Sequence, residues 1–364
     1  DTSVDSRTVI FDLQEATAAL VVPSGGYLND SLALISGTAQ DTPAGVSVLE
    51  VAISSSDGIS GSWWNGTTFA GAGSDYTLQS TSTYDFAATP NTWSWPRPGN
   101  AAMVDGQEYT LSVRTKDQST PYRVRYQTFT FTYDSGSPVA TIFTPPVNNS
   151  YKNAQFHITG NTTDTVGVST VDVLISSGNA ATGGGCYMPG QGFTAVCPST
   201  FAAGGSDVNN WDVDVTFEDG KRYLILALAT DNSGKVQTVY DPGVSSMTFV
   251  FDTSTPSVKI TSPVVARSTS LAVITGTAYD SAPGRLSKVY VRVKHVDDGT
   301  YWDPVAPYGF SKTIDEKESA WFMAASTVAT AWTSWYVSSG TLITDLNALE
   351  GEQFELQVKS SDTA

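Results

Sequence analysis

Acidic residues recur at fixed places of a repeated pattern in this 364-residue sequence. Each of them follows a run of alternating apolar residues, which is where a strand is expected to end. Ca²⁺ takes roughly six to eight oxygen ligands, and carboxylates gathered at strand ends can supply several of them. The six aspartates of this kind are Asp41, Asp117, Asp164, Asp231, Asp252 and Asp280.

We predict calcium at seams between domains, with Asp117, Asp231 and Asp252 as ligands. The competing interpretation is that each aspartate accepts hydrogen bonds from the backbone of its own turn, which is the commoner role of aspartate at such places. No stretch has the ligand spacing of an EF-hand loop. The sequence leaves both interpretations open.

The nine tryptophans form a second group of candidates. Trp95, Trp211 and Trp335 stand at similar distances before three repeated blocks, so they are predicted to lie in the core. The surplus rings either stack on sugars and anchor protein interfaces, or plug the open ends of their own domains. The candidate ligand or interface residues are Trp63, Trp64, Tyr301, Trp302 and Tyr308.

The two cysteines, Cys186 and Cys197, flank a glycine-containing loop and are predicted to form a disulfide, which implies an oxidising compartment. Two reduced thiols are the alternative. Two sulfurs with no histidine nearby make a poor zinc site.

Catalytic motifs are absent from the sequence. His157 and His295 fall in predicted strands, and no GxSxG, P-loop, HExxH or GxGxxG occurs. The 36 acidic residues offer many carboxylate pairs of the glycosidase type, but none stands out. We therefore predict that the chain is not an enzyme.

The charge balance excludes one class of partner. With 19 basic and 36 acidic residues the net charge is −17, which opposes binding to nucleic acid or to an anionic membrane surface and attracts cations. No run of 18 apolar residues exists, so no membrane insertion of this segment is predicted.

Two sequence elements occur three times. Both have the period-two pattern of half-buried strands, and both close on aspartate. The shorter element is "ISGTAQD" at 35–41, "ITGNTTD" at 158–164 and "ITGTAYD" at 274–280. The longer is "DGQEYTLSVRTKD" at 105–117, "DGKRYLILALATD" at 219–231 and "EGEQFELQVKSSD" at 350–362.

The repeats divide the chain into three tandem domains. The glycines of the short element are 123 (160 − 37) and 116 (276 − 160) residues apart, a period of whole domains rather than of a solenoid. We predict an all-β chain of three antiparallel β-sandwiches: module one (1–134), module two (135–252) and module three (253–364). Module three is predicted to lack its last strand, and the chain to be part of a longer one.

The segments "PSVKITSP", "AVITGTAYD", "LSKVYVRV" and "ALATDNSGK" resemble bacterial immunoglobulin-like (Ig-like) tandem repeats of large surface and adhesin proteins. The resemblance covers nearly the whole chain. It implies Ig-like sandwiches at the bacterial cell surface that act as a rigid stalk and interaction surface. Module one departs from it, with Asp5 where the seam proline of the other modules stands and a longer lead-in.

The resemblance implies partners among protein modules of the same or neighbouring chains, and surface glycans. Two alternatives remain at this stage. One is a string of carbohydrate-binding modules attached to a polysaccharide-degrading enzyme. The other is a filament subunit that receives its missing strand from a neighbouring chain.

Overall fold

The fold is all-β. The computed structural model describes residues 2–55, 63–71, 83–85, 91–178, 184–264, 270–328 and 331–364. Within these ranges the strands form six sheets, two to each module, and the paired sheets make three Ig-like sandwiches. No helix in these ranges is long and apolar enough to cross a membrane.

Module one has two sheets, in the orders β1-β3-β8-β7 and β2-β10-β9-β4-β5-β6. Its strands are β1 (Thr17–Val22), β2 (Tyr27–Asn29), β3 (Leu34–Gln40), β4 (Val46–Ser54), β5 (Trp63–Trp64), β6 (Phe69–Gly71), β7 (Thr83–Asp85), β8 (Thr92–Pro96), β9 (Glu108–Asp117) and β10 (Val124–Asp134).

Module two repeats this plan, with β11-β13-β19-β18 facing β12-β21-β20-β14-β15-β16, and with β17 also paired to β14. Its strands are β11 (Val139–Thr144), β12 (Ser150–Lys152), β13 (Ile158–Thr163), β14 (Val168–Ser177), β15 (Cys186–Met188), β16 (Gly192–Ala195), β17 (Phe201–Ala202), β18 (Gly204–Asp207), β19 (Asn210–Val213), β20 (Lys221–Asp231) and β21 (Ser246–Phe251).

Module three has the sheets β22-β23-β29-β28 and β26-β25-β24-β27, with β30 also paired to β24. A 3₁₀ helix covers Ile314–Ala320 and α1 covers Gly340–Ala348. Its strands are β22 (Ser257–Ser262), β23 (Ile274–Tyr279), β24 (Leu286–His295), β25 (Tyr301–Asp303), β26 (Gly309–Lys312), β27 (Phe322–Met323), β28 (Ala325–Val328), β29 (Ala331–Val337) and β30 (Phe354–Asp362).

One long ladder forms the centre of each larger sheet. In module one, β9 lies between β4 and β10, and in module two, β20 lies between β14 and β21. In module three, β30 pairs with β24 alone among the described residues, so no counterpart of β10 or β21 is present there.

Packing in the core requires the glycine of the short repeated element. In each module this glycine lies opposite a buried tryptophan, and a β-carbon at Gly37 would come within 2.6 Å of the Trp93 indole. Only a residue without a side chain lets the indole pack on the backbone at this place. The three pairs are Gly37–Trp93, Gly160–Trp211 and Gly276–Trp335.

This pairing corrects one prediction. Trp93, rather than Trp95, is the module-one equivalent of Trp211 and Trp335. Trp95 is also buried, at 6% exposure, because it lies two residues along the same strand and therefore on the same face. Spacing alone could not separate two tryptophans of one face.

In modules one and two, the tyrosine of the long element accepts a hydrogen bond from the backbone five residues earlier, in the turn before its strand. The Tyr109 hydroxyl accepts a hydrogen bond from the Val104 backbone N–H at 2.8 Å, and Tyr223 accepts one from Glu218 at 2.7 Å. Burial raises the pKa of Tyr223 to about 12 and also raises that of Tyr109. Phe354 replaces the tyrosine in module three, so this bond cannot form there.

Cys186 and Cys197 are joined by a disulfide that closes the hairpin of β15 and β16. Cys186 is fully buried beside the end of β14. The bond therefore ties the loop after β14 to the sandwich of module two.

Candidate metal centres at the module seams

Aspartates converge in threes at one end of each sandwich. In each group, which we call a triad, one carboxylate oxygen from each residue lies within 4.8 Å of the others. The groups found in the described part of the chain are triad 1 (Asp12, Asp41, Asp117), triad 2 (Asp134, Asp164, Asp231) and triad 3 (Asp252, Asp280, Asp362).

The two repeated elements bring each triad together. The closing aspartate of the short element directly follows its strand, and the closing aspartate of the long element is the last residue of β9, β20 or β30. These strands belong to opposite sheets but end at the same end of the sandwich. The third aspartate comes from the segment that enters the module.

Triads 2 and 3 therefore span two modules. Asp134 is the last residue of β10 in module one, whereas Asp164 and Asp231 belong to module two. Asp252 immediately follows β21 in module two and meets Asp280 and Asp362 of module three. In triad 1 the corresponding aspartate, Asp12, comes from the lead-in before β1.

The two oxygens of the buried aspartates have different roles. Asp117 Oδ1 accepts hydrogen bonds from the Ser119 N–H at 3.1 Å, the Ser119 hydroxyl at 2.7 Å and the Arg123 N–H at 2.9 Å. Asp231 Oδ1 accepts three equivalent bonds from Ser233 and Lys235, at 2.8–2.9 Å. Oδ2 of both residues is buried and has no hydrogen-bond partner.

The same division holds in triad 3. Asp252 Oδ1 accepts hydrogen bonds from the N–H and hydroxyl of Ser254, whereas Oδ2 of Asp252 and Oδ2 of Asp280 are buried without a partner. In triad 1 both oxygens of Asp41 are in this state. The turn role predicted as the alternative is therefore present, and it leaves the second oxygen of the same carboxylate facing the triad.

An unpartnered carboxylate oxygen in a buried site is costly unless a cation or a proton compensates it. Asp117, Asp231 and Asp252 are each 1% exposed. Burial, together with the carboxylates of Asp231 and Asp164, raises the pKa of Asp134 to about 6, against the opposing effects of Ser233 and Lys235. A proton or a cation could supply this compensation, so each triad is a candidate metal centre.

Burial and neighbouring carboxylates act on the second aspartate of every triad. They raise the pKa of Asp41, where Asp12 and Asp117 contribute, of Asp164, where Asp231 contributes, and of Asp280, where Asp252 contributes. Three independent sites therefore have the same electrostatic character.

Glycines lie beside two of the triads. A β-carbon on Gly136 would lie at ordinary contact distance, 3.5–3.6 Å, from oxygens of Asp134, Asp164 and Asp105, so the Asp105 carboxylate lies near triad 2 without belonging to it. A β-carbon on Gly284 would collide with Oδ2 of both Asp252 and Asp280. These are the oxygens that lack hydrogen-bond partners.

Side chains around triad 2 also join modules one and two directly. The Ser233 hydroxyl lies within hydrogen-bond distance of carboxylate oxygens of both Asp134 and Asp231 and shares its one proton between them, and the Asn29 amide donates to the Ser233 carbonyl at 3.1 Å. Lys235 Nζ donates at 2.7 Å to the carbonyl of Ser135, the seam residue that directly follows module one. The turn that follows Asp231 is thus part of the contact between the modules.

The structure places the predicted ligands Asp117, Asp231 and Asp252 in three different triads, one in each. Asp41, Asp164 and Asp280 are their neighbours. Sequence reasoning missed Asp134 and Asp362 as members of the triads, although both occupy repeated positions, the first residue of a seam and the last of a long element. Asp12 carries no repeat signal at all.

The aromatic candidates mostly pack inside their own modules. Trp63, Tyr301 and Trp302 are buried, and the Trp302 indole N–H donates to Asp345 at 2.9 Å. Buried rings offer no face to a sugar, so a ligand-facing role stays a prediction for the half-buried Trp64 and the exposed Tyr308. Tyr308 stacks on Trp302 with 5.9 Å between ring centroids.

Comparisons with known proteins found only distant structural similarity. Neither a protein-family model nor a curated protein sequence matches the chain. Among solved structures, it is similar to Dpr2 Ig1-Ig2 in complex with DIP-Theta Ig1-Ig3, at 9% identity over 96% of this chain and 97% of that chain, with a TM-score of 0.33.

Two further similarities have the same character. A marsupial T cell receptor is 9% identical over 95% of this chain and 99% of that chain, with a TM-score of 0.33. The protocadherin gammaB7 EC3-6 cis-dimer structure is 10% identical over 94% and 76%, with a TM-score of 0.29. Structural similarity at these values gives no information on function.

Proposed function

We propose that the chain is a structural and adhesive segment of a large extracellular bacterial surface protein, a stalk of Ig-like modules whose joints are stiffened by Ca²⁺. One observation carries the proposal: the same acidic triad, with a buried and unpartnered carboxylate oxygen, occurs at the same end of all three modules. The bacterial surface location rests on the sequence resemblance.

The donor set favours Ca²⁺ over other common cations. All three ligands of each triad are carboxylates, which are hard oxygen donors without nitrogen or sulfur. Ca²⁺ accepts irregular arrangements of carboxylates, backbone carbonyls and water, whereas Mg²⁺ demands near-octahedral geometry and keeps most of its water. Backbone and water oxygens would complete the coordination.

A cation at triad 2 would act on the joint because its ligands come from both modules. Binding would draw Asp134 of module one towards Asp164 and Asp231 of module two and remove their mutual repulsion. A stalk needs fixed angles between modules in order to hold a reach, and short seams containing proline already limit the freedom of these joints.

The experiment is a calorimetric Ca²⁺ titration of the chelator-treated chain, followed by small-angle X-ray scattering with and without Ca²⁺. We expect about three equivalents to bind, one for each triad, and the maximum dimension to become better defined. Asp231→Asn removes one ligand of triad 2, and Asp5→Asn, an exposed aspartate outside every triad, is the matched control.

Asp231→Asn should lower the stoichiometry by about one and loosen the scattering profile, and Asp5→Asn should change neither. The absence of Ca²⁺ binding below millimolar concentration would refute the calcium part of the proposal. Binding without any change in scattering would refute the stiffening of the joints. Glycan-array binding unaffected by Ca²⁺ would instead favour the carbohydrate-binding alternative.

A further inference from the structure

His295 lies at the end of module three that is remote from triad 3. It is the last residue of β24, whose first residue, Leu286, pairs with Asp362 of that triad. The equivalent position in module two is Ser177, because Ser177 pairs with Tyr223 as His295 pairs with Phe354. The histidine is therefore an addition to the shared framework of the modules.

The imidazole is buried between two carboxylates. His295 is 8% exposed, and neither ring nitrogen meets strict hydrogen-bond geometry. Asp298 Oδ1 lies 2.8 Å from Nδ1 and Glu352 Oε2 lies 3.3 Å from Nε2, both at ion-pair distance, and the contact with Asp298 raises the pKa of the imidazole. The carboxylates around the ring therefore need a compensating cation, which is either a proton on the imidazole or a metal ion.

Carboxylates from two loops gather on this ring. One ligand atom each of His295, Asp297 and Glu352 lies within 4.8 Å of the others. The Val296 N–H donates to the Gln353 carbonyl at 2.8 Å and joins the two loops, and the His295 N–H donates to the Thr300 carbonyl at 2.8 Å and closes the first loop. The arrangement is fixed by the framework of module three.

Asp298 lies on the Nδ1 side of the histidine ring. Thr300 donates to Asp298 Oδ1 from its N–H at 2.9 Å and from its hydroxyl at 2.7 Å, which holds the carboxylate against Nδ1. A metal-binding histidine commonly has its second nitrogen held by a carboxylate. Phe310 and Phe354 pack on the ring, with centroids 5.6 and 5.1 Å away, and keep water from that side.

We propose that His295, Asp297 and Glu352 bind a divalent transition metal of the Zn²⁺ class, with Asp298 as the positioning residue behind the histidine. One imidazole nitrogen and two carboxylates form a borderline donor set that suits Zn²⁺ and differs from the all-oxygen triads at the seams. Water would fill the remaining coordination positions. The site is independent of the calcium proposal because it shares no residue with any triad.

The test is a Zn²⁺ titration of the full chain in excess Ca²⁺, followed by calorimetry and by the histidine ring signals in NMR spectra. The chain has only two histidines, so the two sets of ring signals can be assigned by substitution. His157 is the matched control, because it too lies near two carboxylates, Asp212 and Asp214, each at 3.9 Å, but is exposed.

We expect one equivalent of Zn²⁺ to bind and to shift the His295 signals only. His295→Gln should abolish this binding and His157→Gln should preserve it. Glu352→Gln, at a half-exposed loop position that the fold tolerates, should weaken it by at least tenfold, and Asp298→Asn by about 10–100-fold. Shifts of His157 alone, or binding that survives both His295→Gln and Glu352→Gln, would overturn the proposal.

A third outcome also decides against it. If Zn²⁺ leaves the His295 signals unchanged while they show an imidazolium that persists well above neutral pH, the ring is a cation paired with Asp298 and Glu352. The cluster would then be a buried ion-pair network and not a metal site.

Discussion

Lys235 Nζ of module two lies 2.9 Å from Asp30 Oδ1 of module one. The ion pair is partly sheltered, with side-chain exposures of 17% and 32%. The backbone N–H of the same lysine donates to Asp231 Oδ1 in triad 2. One residue thus takes part both in the contact between modules and in the turn that carries a predicted metal ligand.

Lys235→Met should loosen the joint without unfolding either module. Partly exposed ion pairs contribute at most about 1 kcal/mol to stability, and the backbone bond to Asp231 remains. We expect unchanged unfolding midpoints but a broader distribution of dimensions in X-ray scattering. Lys221→Met is the control, since its partner Glu218 lies within module two. An unchanged scattering profile in Lys235→Met would show that the ion pair does not restrain the joint.

Gly284→Ala should block triad 3 selectively. Its β-carbon would collide with the unpartnered Oδ2 atoms of Asp252 and Asp280, where a cation would bind. We expect the calorimetric Ca²⁺ stoichiometry to fall by about one, with the other sites unaffected. Gly99→Ala is the control because its β-carbon would meet nothing within 4 Å. Full stoichiometry in Gly284→Ala would place the cation elsewhere.

In the metal-free chain, the contribution of Asp134 to stability should fall as the pH rises from about 4 to 6. Asp134 has a pKa of about 6 in the folded state, against an ordinary value of 3.8, because burial and the carboxylates of Asp231 and Asp164 disfavour its ionisation, with Ser233 and Lys235 opposing them. Between these values the folded state binds more protons than the unfolded state, so the free energy of unfolding falls with rising pH.

The upper limit of this effect is about 3 kcal/mol, at 1.36 kcal/mol for each pKa unit. The contribution is fully present below pH 3.8 and is lost once the pH passes about 6. Denaturant titrations of metal-free protein should show it, and Asp134→Asn should flatten the profile. In excess Ca²⁺ the trend should reverse, because protons then compete with the cation. An identical pH profile in the two conditions would contradict the assignment of triad 2.

Tyr223→Phe should destabilise module two by about 1 kcal/mol. The substitution removes a part-buried hydrogen bond, in which the Glu218 N–H donates to the Tyr223 hydroxyl at 2.7 Å. Equilibrium denaturation measures the change. Tyr308→Phe, at an exposed position, is the control and should be neutral. Equal stabilities of both variants would show that the hydroxyl is dispensable, as it is at Phe354.

The all-β fold could be predicted from the period-two pattern and the repeats, because both occur in every module. The triads were only half predictable. Asp117, Asp231 and Asp252 stand at aligned strand ends, but nothing in a strand pattern indicates that Asp12 folds back from the lead-in. His295 was assigned to a strand correctly, and Asp297 and Asp298 follow it directly, whereas Glu352 comes from a loop more than fifty residues later, which periodicity cannot reveal.

Triads 2 and 3 each combine aspartates of two successive modules, and this arrangement affects how such a chain can lengthen. A module brings two carboxylates at its leading end and supplies the third at its trailing end to whatever follows, as Asp134 and Asp252 do. An in-frame duplication of residues 135–252 would therefore insert a new domain together with a complete acidic joint on each side. Reach could grow by gene duplication in steps of one domain, with no compensating substitution needed.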